Sequence, residues 1–147
     1  MRRMIFALVV SLVAGAVFAQ ESPTYTPGEN PFQGEFAFVP GQAIGLHVDI
    51  QGVRLDSVTL SALGDVRPGD KVKCEAVVAG SNKTDKKATL TAVLLLENAD
   101  GKTLEKIALD QFRAKAGKEF QERQKLTIGG DALAGARKVY VFVQVAF

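Results

Sequence analysis

The sequence has no tryptophan, one cysteine, one histidine and two tyrosines, and each shortage closes a chemical route. With Cys74 alone, no intrachain disulfide can form, so stability must come from packing. With His47 alone, a Ser-His-Asp triad or a two-histidine metal site would have to be built around that one ring. The lack of tryptophan, with Tyr25 and Tyr140 as the only tyrosines, weakens a sugar-binding reading, since sugar faces stack on flat aromatic platforms. Gly129-Gly130 precedes Asp131 without the lysine and hydroxyl residue that a phosphate-cradling loop needs. The carboxylates Asp49, Asp56, Asp65 and Asp70 are dispersed, and no Asp-x-Asp-x-Asp ladder gathers oxygens for calcium.

An excess of one charge is missing too. The chain carries 18 Lys plus Arg against 16 Asp plus Glu, and Arg2 and Arg3 account for the difference. A one-sided basic surface for nucleic acid is therefore excluded. The densest basic stretch, Asn82 to Lys87, shares its three lysines with Asp85 and reads as a solvated turn. Within it, Asn82-Lys83-Thr84 matches an N-glycosylation acceptor, read here as a coincidence in a polar loop.

What is present begins with a targeting pattern. Arg2 and Arg3 precede an apolar run from Ile5 to Val17, and Val17-Phe18-Ala19 offers a small-residue cleavage site. Residues 1–19 are expected to be a cleaved signal peptide, because the run is broken by Ser11 and Gly15 and is shorter than the roughly 20 apolar residues that cross a bilayer. Export to the periplasm or the extracellular space is implied, with no membrane span left after cleavage.

Residues 20–43 hold four of the five prolines, at Pro23, Pro27, Pro31 and Pro40, which forbids a helix. Yet Phe32, Phe36 and Phe38 are too apolar for a free tail. Phe36 and Phe38 alternate about Ala37, which predicts a short extended piece that docks on its own domain or on a neighbour.

From Ile44 to the C-terminus the hydrophobic period is two, with turn residues between the runs. Ile44, Leu46, Val48 and Ile50 form one face, and Gly52 separates them from a second run through Leu60. Arg67-Pro68-Gly69-Asp70 reads as a tight turn. A strand follows with Val72, Cys74, Ala76 and Val78 inward, Cys74 as an inert core thiol and His47 as a surface residue. Ala88 to Glu97 is apolar on both faces and reads as a central, doubly covered strand. Asp100-Gly101 is a hairpin signal, Phe120 to Ile128 another strand, Gly129 to Gly135 a loop, and Val139, Val141, Val143 and Val145 the last strand. About seven strands without an amphipathic helix predict an all-β, immunoglobulin-like antiparallel sandwich over 44–147, with a closed barrel as the alternative.

The Pro-Gly-Asp turn into Val72-Lys73-Cys74, the strand ending in Leu94-Leu95-Leu96, Asp100-Gly101-Lys102 and the valine-rich last strand resemble immunoglobulin-like modules of exported bacterial proteins, including fibronectin type III-like and FxLYD-like domains. The resemblance spans about residues 72–147. No Cys-Trp-Cys core is present, and Leu95-Leu96-Glu97-Asn98 stands where an FxLYD-like module carries its aromatic-leucine-tyrosine-aspartate run. The resemblance implies a binding or spacer module and transfers no functional residue.

No catalytic residue, cofactor or metal is expected. The function expected is a non-enzymatic exported module for protein-protein interaction or an envelope structure, with an unknown protein or a second copy as partner. The alternatives are a binding module for a glycan or small molecule and an enzyme with unrecognised loop residues. Phe32, Phe36, Phe38 and Phe147 are the candidate interaction residues. Phe147 joins them because the last strand is expected to leave an uncovered edge, which invites pairing.

Overall fold

The computed structural model of the chain describes residues 24–147, so the expected signal peptide falls outside the described residues. Ten strands and one short helix follow in order: β1 (Thr26–Pro27), β2 (Phe32–Ala37), β3 (Ile44–Ile50), β4 (Val53–Ala62), β5 (Lys71–Asn82), β6 (Ala88–Glu97), β7 (Thr103–Ala108), β8 (Phe112–Ala114), β9 (Glu119–Gly129), α1 (Gly130–Gly135) and β10 (Lys138–Ala146). They make two separate sheets, not a closed barrel. The first has the order β1-β3-β4-β5-β9 and the second β2-β10-β6-β7, with β8 also on β6. The inward residues of both sheets share one core, from Ile50 and Leu55 to Leu94 and Val141.

The ten strands correct the expected number of about seven. Seven lie where the period-two pattern places them, β2 takes in part of the extended piece expected about Ala37, and β1 and β8 are additional. Both β1 and β2 come from the proline-rich arm. Thr26–Pro27 pairs in parallel with Val48–Asp49, and Phe32 to Ala37 pairs with Val143 to Lys138. No break in sheet pairing therefore marks the expected boundary at residue 44.

Two departures from alternation have one cause. The register shifts between Gly45 and Val48, and His47 takes a φ of 45°. Leu46 is thereby only half-buried against the core, whereas Ile44, Val48 and Ile50 are fully buried. In β4 the shift lies between Leu55 and Ser57. An extra residue flips the faces, so Val53 and Leu55 point inward and then Val58 and Leu60. The sequence carries this slip as a change of parity.

The turns follow their chemistry. Gly69 has a φ of 83° and Asp70 N–H donates to the Arg67 carbonyl at 3.2 Å, a turn in which the glycine meets a conformation that side chains oppose. Residues 129–135, expected as a loop, contain α1. It seats Ala132 and Leu133 in the core, and Asp131 in its first turn accepts from Gly69 N–H at 3.1 Å.

The expectation of an uncovered edge at the C-terminal strand is overturned. β10 lies inside its sheet, between β2 and β6, because the arm returns to occupy its free side. β6 is central as expected but not covered on both faces. Its inward residues Leu90, Leu94 and Leu96 are buried, whereas Val93 and Leu95 are half-buried on the outer face beside Phe142 and Tyr140. Such cross-strand aromatic-aliphatic pairs stabilise a sheet from its outer side.

Candidate interaction edge

The arm is tied to the fold before β2 begins. Gly28 N–H donates to the Asp49 carbonyl at 2.8 Å. Asn30 then replaces a backbone rung: its Nδ2 donates to the Val145 carbonyl at 2.7 Å, and Val145 N–H donates to its Oδ1 at 3.0 Å. A side-chain amide offers the same donor and acceptor as a peptide group, so it extends the ladder just ahead of Pro31, which has no N–H to give.

From Phe32 the backbone takes over. Phe38 N–H donates to the Arg137 carbonyl at 2.9 Å. In an antiparallel pair the bonded residues alternate, so Phe32, Gly34 and Phe36 face β10 through their backbone groups. The N–H and C=O groups of Gln33, Glu35 and Ala37 then point away from the sheet. Among the described residues β2 is the last strand on this side, and those groups form its open edge.

The expected interaction residues divide. Phe38 is 3 % exposed and belongs to the core. Phe32 and Phe36 are half-buried against the core, their rings 6.5 Å apart. They close over Gly34, where an added Cβ would lie 2.9 Å from Phe36 Cε2. Phe147 is 53 % exposed and follows the end of β10 beyond the Asn30–Val145 rung, apart from Phe36. Shallow clefts flank β2: about 240 Å³ beside Phe36, Val39 and Ile44, about 280 Å³ beside Glu35, Phe36 and Lys138, and about 340 Å³ beside Pro31, Phe32 and Gln33. On the outer face Tyr140 O–H donates to Gln33 Oε1, and Lys138 Nζ lies 3.5 Å from Glu35 Oε1.

The other sheet edges carry devices that discourage pairing. β1 has two residues and includes Pro27. The β7–β8 edge is split into two strands, and β7 carries Glu105 and Lys106 side by side. β9 presents Arg123 and Lys125 on one face and turns Glu122 toward the interior, opposite Val78. Gln124 stitches it across the open side of the sandwich, accepting from Asp110 N–H at 2.7 Å and donating to the Asp110 carbonyl at 2.7 Å. β2 has one charged residue, Glu35, and no proline within its span.

The groups considered for other chemistry are placed elsewhere. His47 is exposed, with its ring 6.1 Å from that of Tyr25. Tyr25 O–H donates to the Asp56 carboxylate under the Arg54 guanidinium, which sits 4.8 Å from the ring centre. The Asp56 hydrogen bond, then desolvation, hold the Tyr25 phenol above its ordinary pKa. Asp49 accepts from Gly52 N–H and pairs with Arg54. Asp65 and Asp70 lie in the exposed β4–β5 connection, away from this cluster. Cys74 is fully buried, and burial pushes its thiol pKa up, away from the reactive thiolate. Among the described residues no group of three His, Cys, Asp or Glu side chains could hold a metal.

Asn82 is also fully buried. Its Nδ2 donates to the carbonyls of Lys86 at 2.7 Å and Ala114 at 3.1 Å, and its Oδ1 accepts from Thr84 N–H and Oγ1 at 3.0 and 2.7 Å. The amide that a glycan would need is committed inside the fold. Period and composition give no signal for the roles of Asn30, Asn82 and Gln124, because each depends on a backbone partner brought near by tertiary structure.

No protein-family model matches the chain, and no curated protein matches it. Among solved structures, the Avr2 effector protein from the fungal plant pathogen Fusarium oxysporum is similar at 12 % identity and a TM-score of 0.32, over 87 % of this chain and 94 % of that one.

Proposed function

We propose that the chain is an exported, non-enzymatic, immunoglobulin-like sandwich module that binds proteins by strand addition at β2. The observation that carries this reading is the open edge of β2. Three outward peptide units, at Gln33, Glu35 and Ala37, stand between clefts beside the half-buried rings of Phe32 and Phe36. An extended partner segment gains ladder hydrogen bonds from the edge and specificity from side chains that enter such clefts. Its apolar residues would alternate, to meet those rings. The immunoglobulin-like assignment draws on the two sheets of mostly antiparallel strands and the tight turns between them. Export draws on Arg2, Arg3 and the run to Ala19.

The test is residue-resolved amide exchange of the purified protein with extended peptides of about eight residues that alternate Phe or Val with Thr. Slowed exchange at Gln33, Glu35 and Ala37 on addition of peptide is the expected result. Unchanged exchange at these three amides across such a panel would overturn the reading.

A further inference from the structure

We infer that the strand added at β2 is the β2 of a second copy of this chain, in an antiparallel pair whose twofold axis passes through Gly34. The inference rests on the proposed role of β2 as an open edge and adds the identity of the partner. Its basis is that the strand, Phe32-Gln33-Gly34-Glu35-Phe36-Ala37, is self-complementary in that register.

With Gly34 opposite Gly34 of the second copy, Phe32 stands opposite Phe36 and Phe36 opposite Phe32. Both aromatic positions lie on the core side, opposite Val143 and Val139 of β10. The rings that remain half-buried in one copy would complete their burial against the same rings of the other. The residue at the axis has no side chain to hold the backbones apart. Gln33 falls opposite Glu35, so no like charges face each other on the outer side. The backbone parity also agrees: Gln33 and Glu35 direct their N–H and C=O groups outward, so each such pair exchanges both ladder bonds. Ala37 N–H then reaches the Pro31 carbonyl, the one backbone hydrogen-bonding group that a proline keeps.

Neighbouring registers fit worse. A shift that centres the axis on Glu35 sets Glu35 opposite Glu35, and like charges directly opposite destabilise a strand pair. A shift to Gln33 sets each Phe32 opposite Gly34, which leaves Phe36 without an aromatic partner on the other strand. The Gly34 register joins two sheets into one continuous sheet across the axis, a closed isologous dimer.

The test is sedimentation equilibrium of the purified protein over a wide concentration range, for the wild type, Gln33→Glu, and Gln33→Glu with Glu35→Lys. Gln33 is exposed, and a glutamate there still accepts from Tyr140, so the fold should persist with its thermal midpoint within about 2 °C. A concentration-dependent dimer is expected. Gln33→Glu should weaken it by about tenfold, since two like-charge pairs then oppose each other. The double variant, which restores opposite charges across the axis but gives up the Glu35–Lys138 pair, should recover most of the lost affinity. A monomer at every concentration would overturn the inference, as would a dimer indifferent to these substitutions. A monomer that still takes up extended peptides at β2 loses the second copy and keeps the strand-addition edge. A monomer that takes up none loses both.

Discussion

At the scale of the residue, several polar side chains act where a backbone rung or a turn would otherwise leave a group unpaired. Asn82 is the strongest case, because its amide joins the β5 end to the Lys86 and Ala114 carbonyls with no exposure to solvent. Asn82→Ala should cost about 2–3 kcal/mol in equilibrium denaturation, the penalty for stranding buried acceptors. A cost near that of an exposed loop residue would mean that the network carries no load. Tyr25 adds a pH dependence. Its hydrogen bond to Asp56 raises the folded-state phenol pKa above 10.0, so the bond's contribution is fully present below that value. It is lost as pH rises through the folded pKa, because the unfolded chain releases its proton first. Denaturation midpoints between pH 8 and 11 should fall less steeply for Tyr25→Phe than for the wild type, with Cys74 titrating alike in both. These roles were invisible in the sequence: Asn82 reads as one more polar residue of a solvated turn until the fold brings Ala114 beside it.

At the scale of the element, the alternation of apolar residues made seven strands legible, whereas the bulge in β4 became evident only from its pairing with β5. What alternation could not give was partnership. Val139 to Val145 reads as a strand, but its neighbour on one side is the arm, more than a hundred residues away in sequence. The pairing of strands so distant is decided by which apolar rings lack cover, and local pattern holds no record of that. The bulge in β4 also sets a demand on β5. A Cβ added at Gly80 would stand 2.2 Å from the Arg54 carbonyl oxygen and 2.7 Å from Phe120 Cζ. Gly80→Ala must therefore push the β4 backbone or the Phe120 ring aside. The expected loss is about 1–3 kcal/mol, typical of overpacking, measured by urea denaturation at unchanged m-value. A neutral result would show that the bulge yields freely.

At the scale of the whole molecule, two sheets close on one core with no disulfide, and their four edges are treated differently. β1 is two residues long, the β7–β8 edge is broken, and β9 carries charges on both faces. β2 alone combines two aromatic residues with a single charge and no proline, and this asymmetry is the ground for assigning it the contact. The arm was readable as a docking segment from Phe32, Phe36 and Phe38. Its place at the sheet edge was not readable, because the sequence suggested that the last strand was the open one. Among the described residues β2 is fixed to β10 on one side and free on the other. Amide exchange resolved along β2, followed as protein concentration rises, distinguishes the two sides of the strand. Slow exchange is expected at Gly34, Phe36 and Phe38 at every concentration. Gln33, Glu35 and Ala37 should exchange fast when dilute and slowly when concentrated. Fast exchange at all six would contradict the docking of the arm, and fast exchange at the outward three at every concentration would contradict pairing with a second copy.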